Sequence, residues 1–181
     1  MLQLQQYEWL LKATLQLCQM TVKPNGDKGG LVVQQADVTR KTLGMLVGAF
    51  TGGHLVGLDE TEPDEWPIED DASVSFQIRI RLTDEDLAQT TQDLGELVTL
   101  RNGLVHHFIE QHDIATAAGC QSALDALQAA DNLIDTHLVR LQEWATTLAQ
   151  ARQEAARVLA SGPVIEMIVR DIDDADASRR H

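Results

Sequence analysis

Residues 119–160 read GCQSALDALQ AADNLIDTHL VRLQEWATTL AQARQEAARV LA. Within them Cys120, Leu124, Leu127, Asp131, Ile134, Leu138, Leu141, Ala145, Leu148, Arg152, Ala155 and Leu159 recur at alternating steps of four and three. That period keeps one face of a single long helix turned towards its neighbours, as along a coiled-coil seam. Gly162-Pro163 ends the pattern. So long a helical segment points to an all-α chain. One residue on the seam is out of character: Asp131 is acidic at a step where leucine is expected.

Working back from this helix, a short turn is expected near residues 113–117, and before it another helix. Thr83 followed by Asp84, Glu85 and Asp86 is a helix start, with a capping hydroxyl and then acids over the positive end of the helix dipole. This third helix runs to about Gln111, and the short turn makes it antiparallel to the fourth. Two earlier helices are expected. Residues 1–20 carry Leu4, Tyr7, Leu11, Leu15 and Cys18 at helical spacing. Residues 35–50 carry Val38, Leu43, Leu46 and Val47, closed by Gly52-Gly53. Pro24-Asn25-Gly26 and Gly29-Gly30 separate the two.

Residues 53–73 form a loop rich in acids, proline and glycine, with Trp66 as a loop anchor or an exposed contact. Its acids lack the order of a calcium-binding loop, which needs a glycine at its sixth position. Val74, Phe76, Ile78, Ile80 and Leu82 then alternate with Ser75, Gln77, Arg79 and Arg81, the period of a half-buried strand. Leu31-Val32-Val33 is the expected partner, giving a small two-stranded insert. Arg79 and Arg81 share its outer face, as solvated groups or as phosphate contacts. The organisation expected is therefore one helical domain over residues 1–162, an acidic loop and strand insert at 53–82, and a tail at 163–181.

The chain has 181 residues, of which 44% are hydrophobic, enough to bury a core without staples. The net charge of −14 argues against non-specific binding along a nucleic-acid backbone, which needs Lys and Arg to displace counterions. It leaves room for a small site where a few local cations meet an anionic ligand, and suits docking of a basic partner. Cys18 and Cys120 lack metal-ligand spacing and are expected as buried free thiols of a reducing compartment. There is no signal-peptide pattern at the start and no run of about 18 apolar residues. A cytoplasmic protein with no membrane span is expected.

The chemistry gathers in Arg101-Asn102-Gly103-Leu104-Val105-His106. On a straight helix Leu94, Leu97, Val98, Leu104, Val105 and Phe108 all fall within roughly 60° of Arg101. The arginine thus sits at the centre of an apolar stripe and needs an anion, a polar cavity or a second chain. His106 lies about 140° from it around the axis and about 7.5 Å along it. The two side chains meet only if Gly103 bends the helix or a second copy supplies the other half. Asn102 is four residues before His106, on its side of the helix, and His107 stands beside it. By equal rise on either side of a turn near residue 115, Arg101 faces the neighbourhood of Ala129 to Asp131. Asp131 is accordingly the expected partner of Arg101. His106 and Glu110 have the spacing of two zinc ligands, but no Cys or second histidine completes a set. No metal and no cofactor are expected.

These residues resemble the R-x4-6-H motif of HEPN domains, with the polar residue that commonly follows its arginine. The likeness covers residues 84–160 well and the first two helices loosely; the insert at 53–82 is not part of the common helical core. It implies a HEPN-like antiparallel helical bundle and a metal-independent RNase of toxin–antitoxin, abortive-infection or phage-defence systems. Its active site would be composite, formed at a homodimer interface. It further implies that His106 is the acid–base group for attack of a ribose 2′-hydroxyl on phosphate, that Arg101 holds the phosphate, and that Asn102 supports either role. One subgroup carries a tyrosine two residues after the histidine, modified by a nucleotidyltransferase antitoxin; here Phe108 stands there and cannot be modified. The alternative is a catalytically silent helical module that binds a protein partner or nucleotide, with Arg101 as an anion clamp.

Overall fold

A computed structural model of the chain describes residues 2–24, 31–60 and 74–159. Their order is α1 (Leu2–Cys18), β1 (Gln19–Pro24), β2 (Leu31–Gln35), α2 (Leu43–Gly53), β3 (Leu55–Gly57), β4 (Val74–Gln77), β5 (Ile80–Leu82), α3 (Asp84–Asn102), a π-helical turn (Gly103–His107), α4 (Phe108–Gln111) and α5 (Ala117–Leu159). The fold is all-α, with only short strands beside the helices. The acidic stretch over residues 61–73, Trp66 within it, and the tail from residue 160 onward lie outside the described residues.

α5 is the spine. α1 runs parallel to its C-terminal half: Gln3 Nε2 donates to Asp135 Oδ1 at 2.7 Å, the Tyr7 ring meets His137 edge-on, and Arg152 Nη1 donates to the Gln16 carbonyl at 3.1 Å. α3 runs antiparallel to α5, and Arg140 joins them by donating to Thr90 Oγ1 at 2.6 Å and to Asp93 Oδ2 at 3.3 Å. The core lies where these helices and α2 converge, around Tyr7, Leu11, Leu15, Leu43, Leu46, Phe50, Leu94, Leu97, Ile134, Leu141 and Leu148.

Local chemistry explains the ends. The Thr83 hydroxyl accepts from the Asp86 amide at 3.1 Å and donates to the Asp86 carboxylate at 2.7 Å, which caps α3 as its sequence indicates. Thr116 does the same for α5, accepting from the Gly119 amide at 3.0 Å. Gly119 lies against the Asp113 carbonyl so closely that a Cβ would collide with it. Glycine is required for this turn to close.

α2 starts later than the apolar spacing suggests. The Asp37 carboxylate accepts from the Thr39 amide and hydroxyl at 3.1 and 2.8 Å, a local turn that competes with helix over residues 37–39. Those bonds hold the Asp37 carboxyl below its ordinary range.

The strands differ more. The run from Val74 to Leu82 is not one strand. β4 pairs antiparallel with β1 (Met20 opposite Phe76), and then Ile78 N donates to the Cys18 carbonyl. After this break Ile80 N donates to the His54 carbonyl, and β5 pairs parallel with β3 (Leu55 opposite Ile80). β2 belongs to the first sheet, but β1 lies between it and β4, in the order β2-β1-β4. Arg79 and Arg81 therefore do not share a strand face. Arg79 Nη2 donates to Gln77 Oε1 at 3.2 Å, and Arg81 Nη1 donates to the carbonyls of Leu58 and Glu60. The alternation of Met20 and Val22 with Gln19, Thr21 and Lys23 is the signal that marks β1 in the sequence.

The seam of α5 holds from Ile134 to Leu148, where Ile134, Leu141 and Leu148 are buried and Leu138 and Ala145 half-buried, but Ala155 further on is exposed. Over the N-terminal half it is rotated. Cys120, Leu124, Leu127 and Asp131 are exposed, while Ala123 and Ala130 face inward. α1 begins beside Asp135, so the earlier part of α5 lacks that second layer and turns its small residues towards its neighbour.

Candidate functional site

α3 passes directly into the π turn. In an α-helix residues five apart point away from each other; the wider π winding, with its i to i+5 hydrogen bonds, returns them to one side. Arg101 and His106 are five apart, and Arg101 Nη1 lies 3.4 Å from His106 Nε2. The same Nη1 donates to Asn102 Oδ1 at 3.2 Å. Of the two routes open from the sequence, a deformed helix or a second copy, the first already joins the pair within one chain. The deformation is a change of winding; Gly103 itself keeps ordinary helical angles, φ −58° and ψ −49°, and the backbone departs from them at His107, φ −126° and ψ −2°.

The next turn supplies a second pair. His107 Nδ1 lies 3.2 Å from Glu110 Oε2, and the rings of His106 and His107 stand 6.3 Å apart. Glu110 thus serves His107 and not His106. Phe108 packs against His112 with ring centroids 4.7 Å apart, and the far side of that imidazole meets Ser122 Oγ at 3.5 Å. Among the described residues no group of three His, Cys, Asp or Glu side chains is placed to hold a metal ion.

Asp131 is not the partner of Arg101. It is exposed, and the guanidinium instead meets Asn102 and His106. The apolar stripe around Arg101 is buried only as far as Leu97; Val98 and Leu104 are half-buried and Val105 is exposed. The guanidinium is half-buried and reaches the surface, so no internal counter-ion is required. Asn102, His106 and His107 are exposed beside it.

Compared with protein-family models, with curated proteins and with solved structures, the chain matches none.

The site therefore rests on its own chemistry. A guanidinium offers a planar array of donors to a phosphate. A neighbouring imidazole can take or give a proton near neutral pH, and the Asn102 amide oxygen accepts from the same guanidinium nitrogen. Exposed apolar side chains crowd the same end of the molecule: Val105, Ile109, Ile114, Leu124 and Leu127. No helix among the described residues is long and apolar enough to cross a membrane.

Two features escaped the sequence pattern. One is a polar cluster inside the helices, where Arg140 bridges Thr90 and Asp93 and lies 4.9 Å over the Trp144 ring, next to the buried Tyr7 and His137. His137 and Arg140, three apart on the inward side of α5, were the available signal. The other is the contrast between thiols. Cys18 is buried, which pushes its pKa up to about 12 and keeps it an inert thiol. Cys120 is exposed, contrary to expectation, with Sγ donating to the Ile114 carbonyl at 3.1 Å.

Proposed function

We propose that the chain is a HEPN-type, metal-independent endoribonuclease of a toxin–antitoxin or phage-defence system, acting in the cytoplasm as a homodimer. The observation that carries this reading is the 3.4 Å approach of Arg101 to His106 on the π turn. The guanidinium would bind the scissile phosphate and stabilise the charge that develops on it. His106 would take the proton of the ribose 2′-hydroxyl as its oxygen attacks phosphorus. Asn102, already bonded to Arg101, would hold the guanidinium in place. The exposed apolar residues around the same turn support a self-associating surface next to the site, and an antitoxin or other defence protein could cover it in turn.

The test is cleavage of RNA by purified protein in the presence of EDTA. A 2′,3′-cyclic phosphate product is expected, with Arg101→Ala and His106→Ala each slowing cleavage at least about 100-fold. Activity that needs added magnesium, or that survives both substitutions, rejects the mechanism. A second reading, a silent module that clamps an anionic nucleotide or partner, is favoured by the exposure of the site on an open surface. It predicts binding that depends on Arg101 without any cleavage.

A further inference from the structure

We infer that His107, oriented by Glu110, is a second catalytic residue, the general acid that protonates the leaving 5′-oxygen, while His106 acts as the base. The inference rests on the ribonuclease reading above and deepens it.

Cleavage of RNA by its own 2′-hydroxyl requires two proton transfers. A base removes the hydroxyl proton as the 2′-oxygen–phosphorus bond forms. An acid delivers a proton to the 5′-oxygen as its bond to phosphorus breaks. The entering and leaving oxygens stand roughly in line on opposite sides of phosphorus. A single imidazole cannot reach both at once.

The π turn presents two imidazoles in sequence, their rings 6.3 Å apart and inclined by 64°. Each catalytic nitrogen must come within about 2.6–3.2 Å of its own oxygen. Two rings serving oxygens on either side of one phosphorus atom must therefore be separate yet adjacent, and this spacing meets that condition. Arg101 stands against the first ring, between Asn102 and His106, where a phosphate bound to it would lie beside both histidines.

The neighbours of the rings assign the roles. Arg101 has only donors to offer, so its contact with His106 Nε2 requires a lone pair on that nitrogen. When the guanidinium turns from that nitrogen to the phosphate, the lone pair is released to take the 2′-hydroxyl proton, which is the role of the base. Glu110 faces His107 Nδ1 with a carboxylate oxygen, which only accepts, so Nδ1 carries the proton. Nε2 of His107 is left free to hold the second proton, and the resulting imidazolium has an anion beside it. His112, the next histidine along, is occupied by Phe108 and Ser122. The step balances: His106 gains one proton, His107 loses one, the products are a 2′,3′-cyclic phosphate and a free 5′-hydroxyl, and both exposed rings return to their starting states by exchange with water.

The test compares two oligoribonucleotides that share the cleavage position mapped with the unaltered protein. One is ordinary RNA; the other carries sulfur in place of the 5′-oxygen at that position and so has a leaving group that departs without protonation. His107→Ala is expected to slow cleavage of ordinary RNA about 10²–10⁴-fold, and to recover to within about tenfold of the unaltered protein on the sulfur substrate. His106→Ala should stay inactive on both, and Glu110→Gln should show a smaller loss than His107→Ala on ordinary RNA alone. Circular dichroism checks that each exposed substitution keeps the fold. Cleavage of ordinary RNA by His107→Ala at the unaltered rate, or a loss that the sulfur substrate does not relieve, overturns the assignment and leaves the ribonuclease reading standing. An unaltered protein that cleaves neither substrate overturns both.

Discussion

Arg101 and His106 are neighbours, 3.4 Å apart, because the helix between them is wound as π and not as α. A π turn holds one residue more than an α turn closing the same gap. Removing one residue converts it to α winding, and residues four apart then share a face. Deletion of Val105, which is exposed, should therefore keep Arg101 beside the shifted histidine and leave α4 and α5 undisturbed. The expected outcome is stability within about 1 kcal/mol of the parent, measured by chemical denaturation, with RNA cleavage retained. A large loss of stability would show that the π winding is needed by the fold itself.

Arg140 is a cation on which the packing of α3 against α5 depends. It is half-buried, bonds to Thr90 and Asp93 on α3, and covers the Trp144 ring. Arg140→Ala removes these contacts and leaves the buried Thr90 hydroxyl without its donor. A loss of about 1–3 kcal/mol is expected, read from the denaturation midpoint. Arg140→Lys should recover only part of it, because an ammonium lacks the planar face that lies over the indole.

The same residue shows how much was legible beforehand. The turn near residue 115 put equal distances on both arms of the α3–α5 hairpin, and Thr90 and Arg140 are indeed each 25 residues from it (115 − 90 and 140 − 115). Height along a helix pair follows from a fixed rise per residue, so it could be read. Facing could not. The four-and-three spacing of α5 is continuous, yet its two halves meet different neighbours, and α1 reaches back only to Asp135. Hence Ile134 and Leu141 are inward as expected, while Leu124 and Asp131 are not. The Thr83 cap was legible because a cap is local. β1 was carried only by the short alternation from Gln19 to Lys23, which is easily missed because its partners lie elsewhere in the chain and the helical spacing of Leu4 to Cys18 runs straight into it. At the site, Arg101, Asn102 and His106 were recognisable by type and order. The π winding that joins them, and the pairing of Glu110 with His107, depend on backbone geometry that residue spacing does not encode.

Two buried histidines make the fold sensitive to acid. Burial lowers the pKa of His54, helped by Arg79 and opposed by its hydrogen bond to the Ile78 carbonyl. Burial also lowers that of His137, helped by Arg140 and opposed by Asp93 and Glu96. In the unfolded chain both rings take up protons near pH 6.5; in the native state they do so only at lower pH. The unfolded state therefore binds more protons in that window, and stability rises with pH across it. The contribution is fully present above about pH 6.5 and is lost as pH falls through the native values, at most about 1.4 kcal/mol per pH unit for each ring. Melting temperatures recorded from pH 7.5 to 5.5 should decline, and His54→Gln or His137→Gln should each flatten the decline. An unchanged slope in both variants would assign the acid sensitivity to other groups.

Asp131 supplies the sharpest reversal. If it were the buried partner of Arg101, Asp131→Leu would strand a guanidinium and cost several kcal/mol. The structure places Asp131 on the exposed side of α5, on the stripe that runs through Leu124 and Leu127 towards Ile134 and Leu138. Replacing a solvated acid there disturbs no buried contact, so the intrinsic stability should move by no more than about 0.5 kcal/mol. What should change is association. The substitution removes a negative charge beside the exposed Leu124 and Leu127 and lengthens their apolar stripe. If this face is where two copies meet, Asp131→Leu should tighten the dimer, seen as a shift of the sedimentation midpoint to lower concentration. Leu127→Glu should move it the other way and reduce RNA cleavage in parallel. Sedimentation that is indifferent to both changes would place the dimer contact elsewhere.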